Sequence, residues 1–230
     1  MIPVHDDNPT HLTPWLTWAL IAVCVLVFLW QSLSGDARFG AIIAGLGATP
    51  EVIFGRENAM EDPPWVPGWL TVFTSMFLHG SWAHLLGNML FLYVFGNNVE
   101  DAMGHGRFIV FYLLCGVAAV LAQALPDPAS TVPMVGASGA ISGVLGAYLL
   151  LYPRARVLLA LPPPLIFLTI GWVRAVWVLL GWFLMQLLMA TMTGIGGSGV
   201  AFGAHIGGFV AGMALVPLFK QPHIPLFRRH

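Results

Sequence analysis

Apolar positions in this chain fall in long blocks: 15–33, 82–100, 107–125, 138–152, 172–193 and 200–219. A helix needs about 20 such residues to cross the hydrocarbon of a bilayer, so the six blocks predict six spans. The first follows a polar tail, residues 1–13, that holds His5, Asp6, Asp7 and His11 but no Lys or Arg. A cleaved signal segment wants a basic start and a shorter core, so this block is expected to be a retained span. Between Gly35 and Leu78 the pattern is mixed, with Pro63, Pro64, Pro67 and Gly68 set among Trp65 and Trp69. Indole rings prefer the headgroup level, which predicts a long first loop at the membrane interface. Residues 155–171 are apolar but interrupted by Pro162, Pro163 and Pro164, which remove three backbone donors in a row. An interfacial loop is expected there too.

Composition turns the pattern into a class. With 58% hydrophobic and 8% charged residues and a mean hydropathy of +0.83, the chain lies outside the range of soluble domains. The expected fold is an all-α membrane protein, a six-helix bundle forming one domain over residues 1–230 with a short basic tail at 220–230. Its partner is the lipid bilayer. A net charge of −1 gives no basic surface for nucleic acid. Cys24 and Cys115 both lie in apolar blocks, which points to core packing and away from disulfides, metal clusters and redox motifs.

Basic residues orient the bundle. Arg107, Arg154, Arg156, Arg174, Lys220, Arg228 and Arg229 fall on one side of a six-span arrangement, and only Arg38 and Arg56 on the other. The positive-inside rule then places the first side, with both termini, in the cytoplasm, and the long first loop outside. No inverted repeat of the transporter kind is visible.

Polar residues inside the blocks carry the candidate chemistry, because ionisable groups in a membrane are expensive and usually functional. Ser138 stands in the tetrad Gly136-Ala137-Ser138-Gly139, and His205 follows 67 residues later in a second glycine-rich apolar stretch. At 1.5 Å per residue, Ser138 rises roughly 24 Å above Arg154 and His205 roughly 22 Å above Lys220. His84 and Asn88, measured from Asp101, rise roughly 25 and 20 Å and share a helix face through their i, i+4 spacing. Four polar groups from three helices thus converge on one layer in the outer half of the membrane.

A serine becomes nucleophilic when an adjacent base takes its proton, and a neutral imidazole is such a base. Asn88, His84 and the backbone N–H groups around Ser138 are donors for a tetrahedral oxyanion. No Asp or Glu lies at this height in any span, which predicts a Ser-His dyad and no third acidic member. Taken singly, these residues also fit close packing of small side chains, proton relay or interhelical hydrogen bonding. A transporter and a non-catalytic binder of membrane helices therefore stand as rival readings.

Three segments together carry a resemblance. Residues 77–89, reading Phe-Leu-His-Gly-Ser-Trp-Ala-His-Leu-Leu-Gly-Asn-Met, the tetrad at 136–139, and residues 204–212, reading Ala-His-Ile-Gly-Gly-Phe-Val-Ala-Gly, make the chain resemble the rhomboid family of intramembrane serine proteases. The resemblance covers nearly its whole length. It implies Ser138 as nucleophile, His205 as base, and His84 with Asn88 lining the oxyanion hole. It also implies transmembrane protein substrates cut near the outer face, a bacterial inner membrane setting, and no cofactor or metal. Lateral access is implied beside the fifth span, with Trp177 and Phe183 as gate residues beneath the loop at 194–199. Two positions depart from the family pattern. The Trp-Arg pair of many members is Trp69-Leu70 here, and the aromatic residue on which the base packs, one turn after the nucleophile, is Ser142. The second leaves open what orients His205.

Overall fold

The computed structural model describes residues 1–55, 64–161, 168–193 and 200–228. The first apolar block forms α1, Trp15–Leu33. Short helices follow in the first loop: α2 (Asp36–Leu46), the single turn α3 (Pro50–Ile53) and α4 (Gly68–Thr74), which runs into a 3-10 turn over Ser75–Phe77. The remaining blocks form α5 (Trp82–Met103), α6 (His105–Ala124), α7 (Ser138–Leu151), α8 (Ala175–Thr193) and α9 (Phe202–Phe219). Among the described residues, α1, α6, α8 and α9 are long and apolar enough to cross a membrane. Helix α5 has the length, but its C-terminal half carries Asn97, Asn98, Glu100 and Asp101, which dilute its hydropathy.

Those polar residues tie helix ends together. The buried Glu100 carboxylate accepts the Leu16 and Thr17 N–H groups at 3.0 and 2.8 Å, and the Thr17 hydroxyl at 2.6 Å. Donors orphaned at the start of α1 are thereby satisfied by an anion at the positive end of the helix dipole. At the other end of α1, Gln31 accepts the His79 N–H at 3.1 Å and donates to the His79 carbonyl at 3.3 Å. This pair of hydrogen bonds fixes the segment leading into α5. Ser81 then caps α5 by accepting the His84 N–H at 3.2 Å.

Helix α7 is the axis of the bundle: every residue from Gly139 to Leu149 is buried, with α5, α6 and α9 packed around it. Small residues permit this. A Cβ at Gly208 or Gly212 of α9 would collide with the carbonyl oxygens of Gly139 and Gly143 of α7, so the two backbones touch directly. Cys24 and Cys115 are free thiols in the core.

A three-stranded antiparallel sheet beyond the C-terminal end of α7 corrects the all-α expectation. It consists of β1 (Ile2–Asp6), β2 (Arg156–Ala160) and β3 (Thr169–Arg174), in the order β1-β2-β3. The register pairs Ile2 with Ala160 and Asp6 with Val157, then Arg156 with Arg174 and Leu158 with Trp172. The polar tail thus begins as a strand, and much of the expected loop at 155–171 is a hairpin. Prolines bar a helix there, but the flanking Val, Leu, Ile and Trp suit strands. Pro162, Pro163 and Pro164 themselves lie outside the described residues. The sheet is anchored to α7 by the Tyr148 hydroxyl, which donates to Asp6 Oδ2 at 2.6 Å.

Candidate active site

Ser138 is the first residue of α7, and the turn before it is built by Gly136, whose φ of 124° is open to glycine but strained for other residues. The Gly136 N–H donates to the Ser75 carbonyl at 2.9 Å, which holds the incoming strand against the 3-10 turn. Because Ser138 opens the helix, its N–H and that of Gly139 have no intrahelical acceptor. His205 lies in the first turn of α9, and its Nε2 stands 2.8 Å from Ser138 Oγ. Their heights in the bilayer arithmetic therefore correspond to actual contact.

The two residues border a cavity of about 650 Å³. His84 and Asn88 line it from α5 and flank Gly136, where an added Cβ would sit 2.7 Å from His84 Nε2 and 3.5 Å from Asn88 Nδ2. The Gly80 N–H points at His84 Nδ1 at a long 3.5 Å, the sense that leaves a proton on Nε2 facing the cavity. Asn88 Nδ2 is buried and has no hydrogen-bond partner among the described residues, and a donor left so costs free energy unless something binds it. All four residues singled out for chemistry thus meet at one cavity.

Neither gate residue lines the cavity. Phe183 stacks on Phe209 of α9 with ring centroids 4.5 Å apart, and Trp177 is 67% exposed. The cavity wall on α8 is made by Trp182 and Gln186. The loop at 194–199 lies outside the described residues.

Gln186 escaped the sequence reading, and it bears on the orientation of His205. Its Oε1 stands 2.8 Å from His205 Nδ1, the ring nitrogen facing away from Ser138. Trp182, one turn earlier, lies 5.9 Å from the imidazole, and Phe202 lies 6.4 Å away edge-on. Ser142 does not reach the base, because its hydroxyl donates to the Ser138 carbonyl at 2.6 Å. The signal was present: Gln186 is the one amide in α8 and sits 12 residues above Arg174, roughly 18 Å up.

Among the described residues, no group of three or more His, Cys, Asp or Glu is placed to hold a metal ion.

Apolar helices packed around a short buried α7, whose first residue Ser138 meets His205 of α9, define a polytopic membrane protein. A profile of the rhomboid domain matches residues 67–222, more than half of the chain, and the protein belongs to the rhomboid family. It is similar to rhomboid protease GluP of Bacillus subtilis, 32% identical over 136 residues that make up 59% of this chain and 24% of that protein. It is also similar to chloroplastic Rhomboid-like protein 11 of Arabidopsis thaliana, 32% identical over 67% of this chain and 54% of the relative. With rhomboid protease GlpG of Klebsiella pneumoniae the identity is 26% over 92% of this chain and 63% of the relative. The chain thus spans less than two thirds of the length of these relatives.

Proposed function

We propose that this protein is an intramembrane serine endopeptidase that cuts transmembrane protein substrates near the outer face of a bacterial inner membrane. The observation that carries the reading is the 2.8 Å contact between Ser138 Oγ and His205 Nε2 at the edge of the cavity. Its setting is a single domain of six spans, α1 and α5 to α9, with both termini cytoplasmic. Clustering of Arg107, Arg154, Arg156, Arg174, Lys220 and Arg228 supports that orientation.

Each step uses a group already in place. His205 Nε2 takes the Ser138 proton as Oγ attacks the scissile carbonyl carbon. Negative charge developing on the carbonyl oxygen is met by Asn88 Nδ2, by the His84 Nε2 proton and by the free N–H groups of Ser138 and Gly139. His205 returns its proton to the leaving amide nitrogen as the C–N bond breaks, leaving an acyl-serine. Water, deprotonated by the same imidazole, then hydrolyses the ester and restores Ser138.

A helical substrate hides its amides in internal hydrogen bonds, so it must unwind locally to present a carbonyl to Ser138. Gly or Pro near the outer end of the substrate span, less favourable than Ala in a helix by about 1 and 3 kcal/mol, should speed cleavage. Access is lateral, beside α8, where the Phe183 and Phe209 stack acts as the latch to α9.

The test is cleavage of a single-span reporter by detergent-solubilised protein, together with labelling by a serine-reactive fluorophosphonate. Wild-type protein should cut and label, and Ser138→Ala should do neither. Cleavage that persists in folded Ser138→Ala protein would overturn the reading. Solute flux in proteoliposomes without proteolysis would favour a transporter.

A further inference from the structure

A neutral imidazole has one proton to place on two nitrogens. For His205 to accept the Ser138 proton, Nε2 must be bare, so Nδ1 must carry the proton and needs an acceptor. The group 2.8 Å from Nδ1 is the carbonyl oxygen of the Gln186 side chain, and Gln186 is itself only 4% exposed. We propose that Gln186 is the positioning residue of this site, the third member of a Ser138–His205–Gln186 relay that selects the productive tautomer and ring orientation of the base. The assignment rests on the dyad reading above and extends it to a residue on another helix.

Ring contacts alone do not supply this selection. Trp182 and Phe202 bracket the imidazole and restrain its plane. A half-turn about the Cβ–Cγ bond leaves that plane unchanged while exchanging Nδ1 with Cδ2 and Nε2 with Cε1. The Ser138 hydroxyl at Nε2 favours one setting but can donate or accept, so it leaves the tautomer open; an acceptor at Nδ1 fixes both the setting and the proton. Soluble triads use a carboxylate for this purpose, but an ionised carboxylate in a span is costly. A neutral amide provides the same acceptor without a buried charge, and its dipole still favours the imidazolium formed during reaction.

The experiment uses the full-length protein in detergent and compares wild type with Gln186→Leu, Gln186→Met and Gln186→Glu, each shown to be folded by thermal unfolding. Loss of the acceptor in the Leu and Met variants should lower kcat by about tenfold or more while KM moves by less than about twofold. Nitrogen-15 NMR of histidine-labelled protein, with His205 assigned by difference from His205→Asn, should show the proton on Nδ1 in wild type and a tautomer mixture in Gln186→Leu. Gln186→Glu, which keeps an acceptor oxygen at the same reach, should recover most of the rate and the Nδ1 signature. Ser138→Ala and His205→Ala are run in the same assay. Cleavage by either would remove the dyad and this assignment with it. Inactive dyad variants beside a folded Gln186→Leu with wild-type kcat and an unaltered tautomer would overturn the Gln186 assignment alone.

Discussion

Gly208 of α9 lies directly against the carbonyl of Gly139 in α7, so close that a Cβ has no room between the two backbones. Ser138 immediately precedes one and His205 stands one turn before the other, so this contact sets the distance between Ser138 and His205. Gly208→Ala should therefore force the helices apart, at a cost of about 1 to 3 kcal/mol in stability. Cleavage should fall even in protein that remains folded at the assay temperature. Gly106 of α6, where an added Cβ meets nothing within 4 Å and which lies outside the cavity lining, is the control, and its Ala variant should not fall below the wild-type Tm. Matching Tm values and rates for both variants would contradict this account.

Asn88→Ala removes a buried donor that has no partner among the described residues. In the proposed mechanism that donor serves the oxyanion, so the variant should lower kcat more than it changes KM, by about 1 to 3 kcal/mol in the barrier. His84→Ala should behave alike. Steady-state kinetics on the reporter decide the matter, and an unchanged kcat would remove either residue from the mechanism.

His79 supplies a pH dependence of stability. Its ring is fully buried, and neither nitrogen has a hydrogen-bond partner among the described residues. Burial, with a smaller push from His84, lowers its pKa from 6.5 to about 4. A depressed pKa in the folded state means that stability is complete above 6.5 and declines as pH falls from there towards 4. The loss attributable to this ring should reach about 3 kcal/mol. Thermal unfolding between pH 7 and pH 4 should show His79→Phe losing less stability than wild type, and parallel curves would refute the assignment.

Phe183→Ala deletes the ring that stacks on Phe209 and should loosen α8 from α9. Cleavage of helical substrates should accelerate several-fold more than that of soluble unfolded peptides. Trp177→Ala, altering an exposed side chain outside the cavity lining and outside the Phe183–Phe209 stack, should leave the ratio of the two rates near its wild-type value. Equal effects of Phe183→Ala on both substrate types would exclude lateral access beside α8.

Much of the helical frame was legible because lipid imposes a simple demand, a long apolar run with interruptions only at the ends. Helix α1 coincides with its predicted block, bounded by Pro14 and Ser34, and α7 starts at Ser138 as expected. The sheet was not legible. Strand β1 is five residues long and its partners are 151 to 158 residues away, so the pairing leaves no local periodicity. The four residues expected at the site were recognisable by type and by height above a charged neighbour. Gln186 obeys the same height rule, but an amide in an apolar helix resembles interhelical glue until its partner is known to be the outward nitrogen of the base.

Helix α8 has 17% of its spanning window buried, against 44% for α6, and it supplies both the cavity wall and the acceptor for His205. If substrate enters beside α8 as proposed, displacing that helix to widen the cavity draws Gln186 away from the imidazole. Admission and firing are then mutually exclusive, as in a firearm with an interlocked breech. A segment held in the doorway meets a disarmed base, and full reactivity returns only once α8 has settled behind whatever has passed it.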